Sequence, residues 1–237
     1  MIQVVCWLWP PRARYRSQFG ASHVNIFRNM IERHLTIPHE VCCITNIPSG
    51  IDPRVRIIPL WDTWAEVPSP HGGLSPACYR RLPAFGEHMR EVIGERFISF
   101  DLDLVITDNI DPIVSRTEDF IIWGSKLRRT PYNGSLWMMN AGARKHIYEE
   151  FDPLCTPALT LKAGFHGSDQ AWMCYRLGHT EATWTPDRDG VYSFRTDVAL
   201  KRYKLPDDAR IVFFQGHHDP QSRVDNSRAK WIKEHYR

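Results

Sequence analysis

Arg96-Phe-Ile-Ser-Phe-Asp101-Leu-Asp103 is the stretch on which the fold turns. Its apolar core reads as a buried strand that runs directly into two carboxylates. Residues i and i+2 of an extended chain face one side, so Asp101 and Asp103 are delivered together to an exposed rim. Two hard oxygen donors a few ångströms apart suit Mg²⁺ or Mn²⁺, a cation normally shared with a substrate diphosphate. The plainer reading is a solvated strand end, since Asp108 and Asp111 follow closely. A buried strand ending in paired carboxylates favours the functional one.

Strands and helices alternate outward from this stretch. Gln3 to Leu8, Val41 to Thr45 and Val55 to Leu60 read as strands, with further strands at Phe120–Trp123, Ser135–Met139 and Arg210–Phe214. Val24, Phe27, Ile31 and Leu35 share one face of a helix that Ser22 can cap. Ala77 to Ile93 reads as a helix interrupted or bent near Pro83, and Asp169 to Leu177 as another. The expectation is an α/β fold with a mainly parallel mixed sheet flanked by helices, in which ligands lie beyond the carboxyl ends of strands. One domain over 1–237 is expected, with halves 1–107 and 108–220 and a terminal helix or tail at 221–237.

Composition narrows the classes. With 43% hydrophobic and 24% charged residues, the chain is neither disordered nor collagen-like. A formal charge of +3 permits an anionic small ligand but lacks the dense basic patch of a nucleic-acid binder. Six cysteines contain no CxxC pair, which argues against structural zinc, and Cys42-Cys43 reads as strand filling. The apolar N-terminus has no basic leader and stops at Pro10-Pro11, and no apolar run approaches the ~20 residues of a membrane span. A cytoplasmic protein with reduced thiols is the expectation. The 9 Trp, 8 Tyr and 11 Phe serve either a large core or ring-binding platforms, with Trp61, Trp64, Trp137 and Trp172 as platform candidates and Trp7 as core. His23, His34, His39 and His146 carry no spacing signal and are expected at the surface.

Two enzyme classes use a strand followed by Asp-x-Asp. Phe97-Ile-Ser-Phe-Asp-Leu-Asp-Leu-Val-Ile-Thr107 resembles the first motif of haloacid-dehalogenase-type phosphatases, which makes Asp101 a nucleophile. That motif normally opens its domain; here it follows roughly 95 residues, and Leu104 replaces the usual glycine.

More of the chain resembles GT-A-fold glycosyltransferases, particularly those similar to family 8. Cys78-Tyr-Arg-Arg-Leu82 resembles the family's helix ahead of the metal motif, Asp101-Leu-Asp103 the metal motif itself, Tyr132-Asn-Gly-Ser-Leu-Trp-Met-Met-Asn140 the strand lining the sugar pocket, and Gly167-Ser-Asp-Gln-Ala171 the pair near the reacting centre. The resemblance implies a metal-dependent enzyme that transfers a sugar from a nucleotide-diphosphate sugar, a UDP-sugar in the first instance, to a hydroxyl of a glycan, lipid or protein. It implies Arg81 at the donor phosphate or sugar, Asp103 and Asp101 on Mn²⁺ or Mg²⁺, Asn133 and Gly134 at sugar hydroxyls, and Asp169 and Gln170 at the reacting centre. Trp9 and Tyr15 bracket the loop after the first strand, where a nucleotide base would stack. Gly167-Ser-Asp-Gln also reads as an N-capped helix start served by Ser168 or Asp169.

Val212-Phe-Phe-Gln-Gly-His-His-Asp-Pro220 departs from the family, which places a metal-binding histidine and a diphosphate-binding lysine here. Phe213 or Gln215 stands at the histidine and Asp219 at the lysine, while His217 and His218 are close enough to substitute as a ligand. This departure also motivates a reading as a nucleotide-sugar-binding protein without activity.

Overall fold

A computed structural model describes residues 1–10, 18–70, 77–127, 129–215 and 218–237. Among the described residues ten strands lie in chain order: β1 (Ile2–Leu8), β2 (His39–Thr45), β3 (Arg56–Pro59), β4 (Arg96–Phe100), β5 (Leu104–Ile106), β6 (Phe120–Leu127), β7 (Thr130–Asn140), β8 (Ala182–Trp184), β9 (Val191–Ser193) and β10 (Ile211–Phe213). A seven-stranded sheet has the order β3-β2-β1-β4-β7-β6-β8, and a three-stranded sheet the order β5-β10-β9. Within the large sheet β1, β2, β3 and β4 are parallel, as are β6 and β8, while β7 runs antiparallel to both neighbours. The mainly parallel sheet matches the expectation from sequence.

Apolar alternation explains the layers. Val4, Cys6 and Leu8 of β1 enter one core with Phe27, Ile31 and Phe100, whereas Val5 and Trp7 enter the other with Phe97, Phe85 and Trp137. Strands buried on both faces need such continuous apolar runs. Ser99 is the polar exception, and it accepts the Trp7 indole N–H at 2.8 Å. Trp137 is 1% exposed, stacks on Phe85 at 4.8 Å and meets Phe97 edge-on, so it is core rather than platform. Trp172 is likewise buried and donates its indole N–H to the Ile147 carbonyl.

Several local expectations change. Ala77–Ile93 is interrupted just past Pro83, and its first part is 3₁₀ rather than α: a 3₁₀ helix spans Cys78–Phe85 and a short α-helix Met89–Val92. Pro83 lacks an amide hydrogen to continue an α-helix, and the Gly86 N–H closes the turn onto the Pro83 carbonyl. The first helix, Ala21–His34, begins one residue before Ser22; Gly20 is its cap, and the Gly20 N–H donates to His23 Nδ1 at 3.1 Å. His23 is therefore buried, and His34, His39 and His146 are half-buried rather than at the surface. Ile211–Phe213 joins the smaller sheet, and the terminal segment forms a docked helix, Lys230–His235, with Trp231 and Ile232 buried. No described helix is long and apolar enough to cross a membrane.

Trp137→Ala is expected to destabilise the protein by about 3–5 kcal/mol, the usual cost of a large aromatic cavity. Urea denaturation checks this; a loss below about 1 kcal/mol would return Trp137 to the list of ligand platforms.

Candidate active site

The chain does not carry β4 straight on into β5. Between them Asp101-Leu-Asp103 turns from the large sheet to the small one and is pinned from both sides. The Asp101 N–H donates to the Ser135 carbonyl of β7 at 2.9 Å, and the Phe214 N–H, just past β10, donates to the Asp103 carbonyl at 2.7 Å. The two acids thus sit at the carboxyl end of a central parallel strand, where open α/β sheets hold ligands. Antiparallel β7 contributes from its beginning: Leu136 pairs with Phe100, so Asn133, Gly134 and Ser135 project past the β4 rim beside the acids.

Arg81 organises this rim. It comes from the 3₁₀ helix, is 6% exposed, and reaches two acids from different elements. Its Nη1 pairs with Asp101 Oδ1, while Nε donates to Asp169 Oδ2 at 2.8 Å and Nη2 to the same oxygen. Asp169 opens the Asp169–Leu177 helix and is 3% exposed. Burial works against the Arg81 charge, but the Asp101 and Asp169 carboxylates outweigh it and hold the guanidinium more firmly protonated than usual. Burial pushes the Asp169 carboxyl up, and Arg81 opposes that push. Ser168 occupies the helix cap position, yet its hydroxyl faces the Asp169 carboxylate at 3.3 Å and makes no side-chain cap. Asp169 carries the strongest contacts of this helix start, through Arg81.

Gln170 and Gly134 close the arrangement. The Gly134 N–H donates to Gln170 Oε1 at 3.1 Å. A Cβ on Gly134 would stand 2.8 Å from Met173 Cε and 3.4 Å from Arg81 Nη2, so glycine lets β7 approach the helix and the guanidinium closely. The Asn133 side chain accepts the Ser135 N–H at 2.9 Å.

These groups open onto a cleft of about 770 Å³. Asp101, Asp103, Asn133 and Gln170 line it, as do Trp123, Lys126, Arg195 and Gln215. Trp123 stacks on Phe213 at 4.8 Å, and Gln215 Oε1 accepts the Ser193 hydroxyl at 2.9 Å.

Of the residues singled out from sequence, Arg81, Asp101, Asp103, Asn133, Gly134, Asp169 and Gln170 converge here. Trp9 does not line this cleft. It follows β1 beside a separate hollow of about 370 Å³ with Asn46, Asp62 and Arg80, and the Arg80 guanidinium lies over its ring at 5.7 Å. Tyr15 and His217 lie outside the described residues. His218 is not among the cleft-lining residues; its Nδ1 meets Arg223 Nη2 at 3.1 Å and its ring packs edge-on against Phe194. Gln215, one of two residues standing at the expected histidine position, faces the cleft instead. Arg195 and Asp197 carry no signal in the sequence, and Lys126 reads there only as a poor fit to a later phosphatase motif, because the three come from separate segments with no motif to join them.

No protein-family model and no curated protein matches the chain in sequence. Solved structures do match in shape. One is galactosyltransferase LgtC in complex with donor and acceptor sugar analogues, at TM-score 0.64 and 11% identity over 98% of this chain and 94% of that one. Another is glycosyltransferase GlyE of Streptococcus pneumoniae, at TM-score 0.58 and 13% identity over 98% of this chain and 59% of that one. A third is mouse xyloside xylosyltransferase 1, at TM-score 0.55 and 13% identity over 90% of this chain and 97% of that one. The chain therefore has the GT-A-like fold of glycosyltransferases.

Arg81→Gln strands two acids, and removing one partner of a buried pair costs about 3–5 kcal/mol. Without the guanidinium, burial raises the Asp169 carboxyl further. A raised carboxyl contributes stability below the ordinary carboxylate range and loses it as pH rises through the folded value. Arg81→Gln is therefore expected to lose more stability at pH 7.5 than at pH 5; equal losses in urea melts at both values would contradict this account of the cluster.

Proposed function

We propose that the protein is a glycosyltransferase that uses a nucleoside-diphosphate sugar, with UDP as the first nucleotide to test, and a divalent cation. The observation that carries this reading is that Asp101, Asp103, Asn133 and Gln170 line one cleft at the β4 rim, with Arg81 and Asp169 buried behind Asp101, in a fold shared with glycosyltransferases.

The donor lies along the rim in the order of the strands. The base occupies the hollow beside Trp9 and Arg80 at the end of β1. The diphosphate lies at the end of β4, where Arg81 already stands between two carboxylates. The sugar lies over the start of β7, where Asn133 offers its amide and Gly134 lets the strand pack closely on Gln170 and Arg81.

Sugar transfer builds negative charge on the departing diphosphate, and preformed donors aimed at that charge lower the barrier. Arg81, buried behind Asp101, supplies fixed positive charge there, its position set by the two carboxylates before the donor arrives. Mg²⁺ or Mn²⁺ fits the donor set, since Asp101 and Asp103 carboxylates and the Gln215 amide oxygen are hard oxygen ligands on the same cleft. When bound, the cation neutralises phosphate charge. Asp169 is a positioning residue: its carboxylate is engaged by Arg81 and shielded from water. Gln170, tied to Gly134 through Oε1, keeps its amide N–H groups for a sugar hydroxyl.

The phosphatase reading fits poorly. Asp101 follows the fourth strand rather than opening the domain, and its carboxylate is paired with Arg81 instead of being free to attack phosphorus.

Thermal-shift titration with UDP, GDP and CDP, with and without Mn²⁺, tests the proposal. A metal-dependent shift with one nucleotide is expected; no shift with any of them would sink it. Asp103→Asn is expected to weaken the metal-dependent part about tenfold or more while the unliganded melting temperature stays within a few degrees. Metal-dependent nucleotide binding without turnover of the matching sugar donors, towards water or a sugar acceptor, would point instead to a binding protein, the reading that Gln215 and Asp219 favour.

A further inference from the structure

The far wall of the cleft is made of parts the donor does not use. Lys126 stands near the end of β6, and a π-helical turn, Phe194–Val198, follows β9. The wide turn buries Phe194, Asp197 and Val198 and leaves Arg195 and Thr196 exposed on the cleft. Single π turns are rare and concentrate at functional sites. This one is held firmly: the Ser193 N–H donates to Asp197 Oδ2 at 2.9 Å, the Thr196 N–H donates to Ser193 Oγ at 3.3 Å, and Lys126 Nζ pairs with Asp197 Oδ1 at 2.6 Å. Asp197 balances Lys126. Arg195 has no such counterion among the described residues.

We propose that this wall is the acceptor subsite and that the acceptor carries an anionic group, a carboxylate or a phosphate, recognised by Arg195. The inference rests on the glycosyl-transfer reading of the cleft. Strand order sets the position: along β1-β4-β7-β6, Trp9 follows the first strand, the paired aspartates the second, and Asn133 and Lys126 lie on the third and fourth. At about 4.8 Å per strand, β6 stands roughly 10 Å beyond the aspartates, past the place of the donor sugar. A guanidinium binds carboxylate or phosphate through two parallel hydrogen bonds, and a neutral acceptor leaves that capacity unused. The Lys126–Asp197 pair acts through Arg195, by fixing the turn that presents it.

Binding of three probes to the UDP- and Mg²⁺-loaded protein, followed by NMR, tests this: methyl glucoside, glucuronate and glucose 6-phosphate. At least one anionic probe is expected to bind about tenfold or more tightly than the neutral one, the two anionic arms separating carboxylate from phosphate. Arg195→Gln is expected to abolish that preference and leave UDP affinity unchanged. Equal binding of all three probes, or a preference that survives in Arg195→Gln, overturns the proposal. So does a loss of UDP affinity in the variant, which would place Arg195 on the donor diphosphate. Failure of the wild-type protein to bind UDP would count against the glycosyltransferase reading instead, and the probe comparison is then read on the nucleotide-free protein.

Discussion

A guanidinium clamped between two carboxylates holds the site together. Arg81 joins the 3₁₀ helix, the end of β4 and the start of the Asp169–Leu177 helix, three elements with no backbone ladder among them. Removing such charges from water costs several kcal/mol per ion, offset only where geometry is good and the remaining donors are used. Here Nε and both Nη atoms are engaged. The buried cluster therefore fixes where Asp101 can point, and through Asp169 it fixes the first turn of the helix that carries Gln170. Glycine at position 134 follows from the same crowding, since a side chain there would press on Met173 and approach the guanidinium.

The reversed strand adds the second constraint. Were β7 parallel to β4, its end rather than its beginning would reach the rim, and Asn133 and Gly134 would lie at the opposite edge of the sheet. Running antiparallel, it places the start of Tyr132–Asn140 beside Asp101, and the Asp101 amide bonds directly to Ser135. The rim is also formally anionic: Asp101, Asp103 and Asp169 outnumber Arg81. On the proposed reading that imbalance is what a divalent cation would answer.

Much of this was legible in the chain because it is local. Strands such as Val4–Leu8 and Phe97–Phe100 announce themselves by unbroken apolar runs, and the acids after Phe100 need no tertiary information. Arg81 rather than Arg80 emerged from a resemblance, and the packing gives the physical reason: adjacent residues of the 3₁₀ helix point apart, so Arg80 lies over Trp9 while Arg81 turns to the acids. What was not legible depends on distant partners. Pro83 warned of a break in Ala77–Ile93 but not that the segment would be 3₁₀. Trp137 sits in a motif that begins at the site, yet it lies farther along β7, where its indole packs into the core against Phe85 and Phe97. Lys126, Asp197 and Arg195 meet only because β6 and the turn after β9 border one cleft, and no spacing in the sequence records that meeting.

Gln215 ties the two sides of the cleft together. Its Oε1 accepts the Ser193 hydroxyl, and the same Ser193 oxygen receives the Thr196 amide that shapes the turn bearing Arg195. An imidazole is a stiffer ring with its nitrogens at other positions, and it would not reproduce an amide oxygen at this bond. The departure from the histidine that the sequence resemblance implies is thus coupled to the construction of the far wall. An oxygen ligand in place of nitrogen makes the proposed cation site harder, which favours Mg²⁺ relative to softer ions. One substitution therefore bears on both halves of the chemistry proposed for the cleft: which cation steadies the leaving diphosphate, and how the wall facing the acceptor is held.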